Sequence, residues 1–205
     1  MTRIKLCGIT QQREIEAINS LHPDYIGFVF AKKSKRYIDP EKAFLLKQKL
    51  DRNIQAVGVF VNEPIEQVAK LLENGTIDVA QLHGTEDETY IKKLRKQTNK
   101  MLIKAFQIQM ETDISEIENC SADYVLIDSG AGSGKTFNWD IVKQVKRPFF
   151  LAGGLHEKNV ETAIKSVHPY AVDVSSGIDT DGKKDIGKMQ CFVENVRKGS
   201  EEDDE

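Results

Sequence analysis

Reactive side chains recur at the ends of short apolar segments of this 205-residue chain. The first is Cys7, which follows Ile4 and Leu6 and precedes Gly8. A thiol that loses its proton can act as a base or a nucleophile, whereas most free cysteines are small buried hydrophobic residues. The recurrence of polar groups at later segment ends favours a chemical role for Cys7.

Asp128 ends another apolar segment, Tyr124-Val125-Leu126-Ile127. Its carboxylate could form a turn or cap a helix, or it could face a ligand. Two titratable groups that face one substrate can divide the work into general acid and general base. Cys7 and Asp128 are therefore the candidate catalytic pair.

Two later segments end in small residues that suit a phosphate group. Gly153 and Gly154 follow one, and Ser175, Ser176 and Gly177 follow the next. Glycine lets the backbone N–H groups approach an anion closely, because it has no Cβ. Either group alone could be a simple turn, but the two together predict a phosphate site.

Three more polar side chains lie at segment ends. Arg36 closes a basic loop that begins at Ala31, and Gln81 and His83 belong to one segment end. The guanidinium suits a ligand carboxylate, although a charge in a basic loop is usually solvated. His83 could contact substrate or be a ring held by backbone hydrogen bonds.

The segment from Ser129 to Thr136 is similar to a nucleotide-binding P-loop. The P-loop pattern requires glycine where Ser129 stands, and Phe137 and Trp139 make a poor first turn for the following helix. Magnesium–nucleotide binding is kept as an alternative.

Eight short apolar segments predict strands, and amphipathic helices fill the gaps between them. Several segments are apolar almost throughout, as in parallel strands that are covered on both faces. The predicted strands are residues 4–7, 25–30, 55–61, 78–82, 101–106, 123–128, 149–152 and 171–175. Thr10, Asp39 and Thr85 (with Glu88) are the predicted helix caps.

Regular strand–helix alternation favours a single α/β domain, a (β/α)8 TIM barrel with short loops, over a doubly wound open sheet. In such a barrel the carboxyl ends of the strands meet at one mouth, so Cys7 and Asp128 could flank one small ligand. The barrel domain is predicted over residues 1–198. Residues 199–205 are expected to form a disordered acidic tail.

The composition excludes several classes of protein. Lysine and arginine total 29 and the acids total 32, of which five lie in residues 201–205, so the body carries 29 basic and 27 acidic residues. That balance argues against nucleic-acid binding. Three cysteines without paired spacing, and neither a leader nor a membrane span, predict a cytoplasmic protein. The histidines and cysteines have no metal-ligand spacing, and the protein could be a monomer or a homodimer.

Together these residues resemble the phosphoribosylanthranilate isomerases of tryptophan biosynthesis, from about residue 5 to residue 188. The resemblance rests on motifs in a fixed order along the chain. They are Lys5-Leu6-Cys7-Gly8-Ile9-Thr10, Ser34-Lys35-Arg36, Gly58-Val59-Phe60-Val61-Asn62, Gln81-Leu82-His83-Gly84, Ile127-Asp128, Gly132-Ser133-Gly134-Lys135-Thr136-Phe137 with Trp139, Ala152-Gly153-Gly154-Leu155 and Asp173-Val174-Ser175-Ser176-Gly177.

The resemblance implies an Amadori rearrangement of a small phosphosugar substrate without metal or cofactor. It makes Asp128 the general acid and Cys7 the general base, and places the anthranilate carboxylate near Arg36 and the phosphate at the two glycine turns. Asp128 must then hold its proton and Cys7 must lose one. Lys5 lies on the same strand face as Cys7, so its positive charge could stabilise the thiolate. Asp179 stands where glutamate is common, which leaves its ribose contact open.

Two other functions compete with this one. A sister barrel, the histidine-pathway aminoaldose isomerase, uses an aspartate at the first strand end, and Cys7 argues against it. In a non-catalytic phosphometabolite-binding barrel, Cys7 and Asp128 would be bystanders.

Overall fold

A computed structural model describes residues 1–107, 113–128 and 139–201. Eight parallel strands form a closed barrel in chain order, and β8 pairs with β1. The strands are β1 (Arg3–Cys7), β2 (Tyr25–Val29), β3 (Gln55–Phe60), β4 (Val79–Leu82), β5 (Met101–Gln107), β6 (Tyr124–Asp128), β7 (Phe149–Ala152) and β8 (Ala171–Val174). The TIM barrel prediction is confirmed and the open sheet is excluded.

Helices follow the strands around the barrel. They are α1 (Gln12–Leu21), α2 (Pro40–Lys47), α3 (Ile65–Glu73), α4 (Glu88–Arg95), α5 (Asp113–Asn119), α6 (Trp139–Val142), α7 (Val160–Val167) and α8 (Ile186–Glu201). A 3-10 helix (Ser176–Ile178) and a small hairpin of β9 (Asp179–Thr180) and β10 (Lys183–Lys184) lie between β8 and α8. None of the helices in the described residues is long and apolar enough to cross a membrane.

The barrel interior is filled by side chains. Tyr25, Leu126 and Phe150 belong to a buried cluster inside the ring, and a larger cluster packs the outer faces of the strands against the helices. A small third cluster contains Cys7 and Val29. Because the interior is packed, a substrate has access only to an end of the barrel.

Local sequence explains where the helices begin. Asp39 caps α2 as predicted, accepting a hydrogen bond from the backbone N–H of Glu41. The prediction for Thr10 is wrong: α1 begins after Gln11, and the Glu14 carboxylate accepts the N–H groups of both residues, Thr10 at 2.7 Å and Gln11 at 2.9 Å.

The prediction that Thr85 caps α4 is also wrong. The helix starts after Asp87, whose carboxylate accepts from the Tyr90 N–H. The N–H and hydroxyl of Thr85 instead donate to Asn62 Oδ1 on the preceding loop. A carboxylate closer to the helix therefore takes the capping position.

Helix α8 continues to Glu201, past the predicted domain boundary at residue 198. Ser200 is buried, donates to the Val196 carbonyl and accepts from the Thr2 N–H, so this last turn is tied to the start of the chain. The tail therefore cannot begin before residue 202. The prediction of a disordered acidic tail otherwise concerns residues 202–205, which lie outside the residues that the structure describes.

Candidate active site

Cys7 ends β1 and retains only 6% exposure. Gly27 lies opposite it on β2, and a Cβ at Gly27 would lie 2.4 Å from the thiol sulfur. Contacts that short do not occur in folded proteins, so the missing side chain at Gly27 makes the space that the thiol occupies.

A buried ion pair adjoins the thiol. Lys5 is fully buried, and its Nζ lies 2.8 Å from Asp173 Oδ2 on β8. Burial acts to lower the pKa of Lys5, but attraction to Asp173 and Cys7 outweighs it and raises the pKa. The ammonium is therefore retained beside Cys7, as strand alternation predicts.

Burial raises the pKa of the Cys7 thiol, and the positive charges of Lys5 and Lys184 oppose that rise. The net direction is opposite to the one that a resting thiolate requires. Burial therefore favours the neutral thiol at Cys7, and the two lysines reduce the cost of removing its proton.

Asp128 ends β6, on the other side of β7 and β8 from Cys7. Its Oδ2 lies 3.4 Å from His83 Nε2, and His83 Nδ1 lies 2.8 Å from Gln81 Nε2. The Gln81 side chain therefore holds one edge of the His83 ring, and the other edge faces Asp128. Of the two roles considered for His83, the ring held by backbone hydrogen bonds is not observed, because a side chain holds it, and the substrate contact stays a prediction.

Arg36 and Asp179, predicted as separate substrate contacts, bind each other. The guanidinium donates from Nε at 3.2 Å and from Nη2 at 2.5 Å to the same carboxylate oxygen. The second oxygen of Asp179 accepts from Lys184 Nζ at 2.7 Å. Arg36 also lies against Gly8, where a Cβ would be 2.4 Å from Arg36 Cδ, so this ion pair adjoins the Cys7 strand end.

The two glycine turns meet. Gly153 and Gly154 both have positive φ angles, 89° and 62°, a conformation that favours glycine. In the next turn, a Cβ on Gly177 would lie 1.9 Å from the Leu155 carbonyl oxygen. The loops after β7 and β8 therefore pack backbone to backbone, which agrees with a shared phosphate site.

Replacing Gly177 by alanine is expected to push these two loops apart. If they hold the phosphate, KM should rise about tenfold, which is ~1.4 kcal/mol of lost binding, and steady-state kinetics would measure it. Gly75→Ala is the matched control, since Gly75 has a φ of 76° but no atom within 4 Å of its would-be Cβ. That variant should lose about 1 kcal/mol of stability and keep its KM. Equal KM values for Gly177→Ala and wild type would contradict the phosphate assignment.

A cavity of about 500 Å³ opens between the ends of β4, β5 and β6 and is lined in part by His83, Lys104, Phe106 and Asp128. The P-loop-like segment 129–136 lies outside the described residues. Lys184 and Asp173 were not predicted as part of the site, although Asp173 opens the last motif of the family resemblance. The Asp181-Gly182 pair, typical of a tight hairpin turn, was the available signal that the chain folds back at Lys184.

The family model described as N-(5'phosphoribosyl)anthranilate (PRA) isomerase matches residues 4–195. An N-(5'-phosphoribosyl)anthranilate isomerase of Thermoanaerobacter sp. (strain X514) is 45% identical over 204 residues, which covers 96% of this chain and 98% of that relative.

Solved structures agree with the sequence comparison. The phosphoribosyl anthranilate isomerase of Thermotoga maritima superposes with a TM-score of 0.89 at 36% identity, covering 97% of this chain and 100% of that one. Another structure is of a phosphoribosyl anthranilate isomerase in complex with reduced 1-(o-carboxyphenylamino)-1-deoxyribulose 5-phosphate, with a TM-score of 0.86, 35% identity and coverage of 97% and 100%. This chain therefore belongs to the PRA isomerase family.

Proposed function

We propose that this isomerase converts N-(5-phosphoribosyl)anthranilate into 1-(2-carboxyphenylamino)-1-deoxyribulose 5-phosphate in tryptophan biosynthesis, with Asp128 as general acid and Cys7 as general base. The observation that carries the proposal is that one end of a packed barrel holds Cys7, Asp128, Arg36 and two joined glycine turns. The match to the family along nearly the whole chain supports it.

Asp128 begins the reaction. Its carboxyl proton goes to the furanose ring oxygen, the bond from that oxygen to C1 breaks, and the anilino nitrogen lone pair forms the C1=N bond of an iminium ion. A carboxyl group can act in this way only while it holds its proton. The His83 ring, held by the Gln81 side chain, lies 3.4 Å from Asp128 Oδ2, which supports a role in orienting the carboxyl group.

Cys7 completes the rearrangement. The adjacent iminium makes the C2 proton acidic; the thiolate removes it, and the C2–H electrons form the C1=C2 bond of an enolamine. The enolamine gains a proton at C1 and loses its hydroxyl proton to give the ketone, so electrons are only redistributed within the substrate. Lys5 and Lys184 favour the thiolate on which this step depends.

The two ends of the substrate carry negative charge. Arg36 is the group proposed to bind the anthranilate carboxylate, because a planar guanidinium can donate two parallel hydrogen bonds to it. Asp179 already holds the guanidinium in place, which supports an orienting role alongside the predicted contact with the sugar. The phosphate would bind at Gly153, Gly154 and the Ser175-Ser176-Gly177 turn.

Loss of substrate fluorescence tests the proposal directly. Purified enzyme added to freshly generated N-(5-phosphoribosyl)anthranilate should abolish the fluorescence of the anthranilate group with saturation kinetics. The aminoaldose substrate of histidine biosynthesis is the control and should not turn over. No turnover of the first substrate, or faster turnover of the second, would overturn the assignment. Equilibrium dialysis with Mg-ATP, with and without Lys135→Ala, tests the nucleotide alternative.

We further propose that the enzyme works in the cytoplasm, as a monomer or a homodimer. Cys7, Cys120 and Cys191 are all free thiols, which agrees with a reducing compartment. The proposed ligand is a small phosphosugar. Because basic and acidic residues nearly balance outside the terminal acidic run, we propose no nucleic-acid partner.

A further inference from the structure

A short hairpin returns the chain to the site after β8. Asp181 and Gly182 have φ angles of 52° and 74°, so both turn residues are left-handed, as in the tight turns that join adjacent antiparallel strands. The hairpin places Lys183 in solvent, while the side chain of Lys184 is only 2% exposed. A buried lysine next to a substrate site needs an explanation, since lysine is rarely buried without a partner.

Lys184 connects two groups of the proposed site. Its Nζ donates to the Ser175 carbonyl at 2.8 Å and to Asp179 Oδ1 at 2.7 Å. On one side, Asp179 holds Arg36; on the other, the Ser175 hydroxyl donates to the Cys7 carbonyl at 3.3 Å. One ammonium therefore links the arginine, the turn after β8 and the thiol-bearing strand end.

The charges around Cys7 come from several elements. Lys5 on β1, Lys184 on β10 and Arg36 after β2 are cations, and Asp173 on β8 and Asp179 on β9 are carboxylates. These five groups carry three positive and two negative charges, so a thiolate at Cys7 would bring their sum to zero. Burial lowers the pKa of Lys184, and Asp179 and Cys7 act against that fall.

We propose that Lys184 is a positioning residue for the Cys7 base: its ammonium fixes the Arg36–Asp179 pair and the turn after β8, and its charge favours the thiolate. The inference rests on the proposed function, because it assumes that Cys7 acts as the base. Lys5 is held by its own carboxylate within the barrel, whereas Lys184 links the Cys7 strand end, through Ser175, to the Arg36–Asp179 pair. Lys184 therefore couples the orientation of the substrate to the state of the base.

The test compares kcat/KM from about pH 5 to about pH 11 for wild type, Lys184→Met and Lys184→Arg. Lys184→Met removes the charge, so the ascending limb of the profile, the rise of kcat/KM with pH that reports ionisation of Cys7, should occur about one pH unit higher. The value of kcat/KM near pH 7 should then fall about tenfold and recover in alkali. Lys184→Arg retains a cation and should keep the limb near its wild-type position. Lys183→Met, on the exposed neighbour, is the control and should match wild type.

Alkylation of Cys7 by iodoacetamide, followed by peptide mass spectrometry, gives a second readout without substrate. The pH at which Cys7 becomes reactive should shift upward in Lys184→Met by the same amount. If that variant fails to fold, Lys184→Gln, which keeps a hydrogen-bond donor, takes its place. An unshifted limb together with unshifted alkylation would overturn the role of Lys184. An active Cys7→Ala enzyme would instead overturn the proposed function, and the alkylation profile would still decide whether Lys184 acts on the thiol.

Discussion

Asp128→Asn is expected to lower kcat about a thousandfold while KM stays within about threefold of wild type. The asparagine amide has nearly the size of the carboxyl group and fits the same place beside His83 Nε2, which lies 3.4 Å from Asp128 Oδ2. It has no proton to give to the ring oxygen, so ring opening loses its acid catalyst. The loss corresponds to about 4 kcal/mol of transition-state stabilisation, and steady-state kinetics with the fluorescent substrate would measure it.

Asp123→Asn is the matched control, because Asp123 directly precedes the same strand. It pairs with Arg95 at 2.5 Å and accepts from the Leu102 N–H, at the opposite end of β6 from Asp128. That change should lower the melting temperature slightly and leave kcat unaltered. A kcat for Asp128→Asn within tenfold of wild type would show that another group protonates the sugar.

The fold could be predicted from sequence because strand positions depend on local patterns. Each of the eight predicted strands forms, with ends within one residue of the prediction. Buried parallel strands are apolar on both faces, so their boundaries are visible as abrupt changes in polarity. The cap of α4 was predicted wrongly because Thr85 and Asp87 compete for nearby positions. Thr85 is bound instead by Asn62, and the sequence does not show that the Asn62 side chain lies beside it.

The strand-end positions of the candidate site were equally predictable, but its ionic partners were not. Arg36 and Asp179 are separated by 143 residues, and their contact depends on the hairpin after β8 returning to the first strands. Lys184 stands in the charged run Lys183-Lys184-Asp185, a pattern that is typical of a solvated surface. Only the three-dimensional arrangement separates the buried lysine from its exposed neighbour.

The direction of the Cys7 pKa shift was the least predictable feature. Lys5, two residues before Cys7 on the same strand, suggested a stabilised thiolate, and its ammonium is indeed held on that strand by Asp173. Burial of the sulfur outweighs it, because desolvation penalises the charged form and Asp173 adds a like charge. The balance depends on how completely the folded barrel buries the sulfur, which the sequence does not show.

Cys7→Ala should lower kcat by about a thousandfold or more, because no base then removes the C2 proton of the iminium ion. Substrate affinity should change little, since Arg36 and the glycine turns remain. In wild type, kcat/KM should rise with pH as the free thiol ionises, and this limb should lie above the ordinary cysteine range because burial raises the pKa of Cys7. The ascending limb that reports Cys7 should disappear in the variant.

Cys191→Ala supplies the control for Cys7→Ala, since its thiol is free and exposed on α8. It should keep both the rate and the pH profile of wild type. Cys7→Ser separates acidity from shape: a hydroxyl fits the space beside Gly27 but ionises far less readily than a thiol, so serine should be almost as slow as alanine. A serine enzyme with near-native turnover would mean that the group at position 7 orients the substrate without removing a proton, and the base would have to be sought among the other side chains at the barrel mouth.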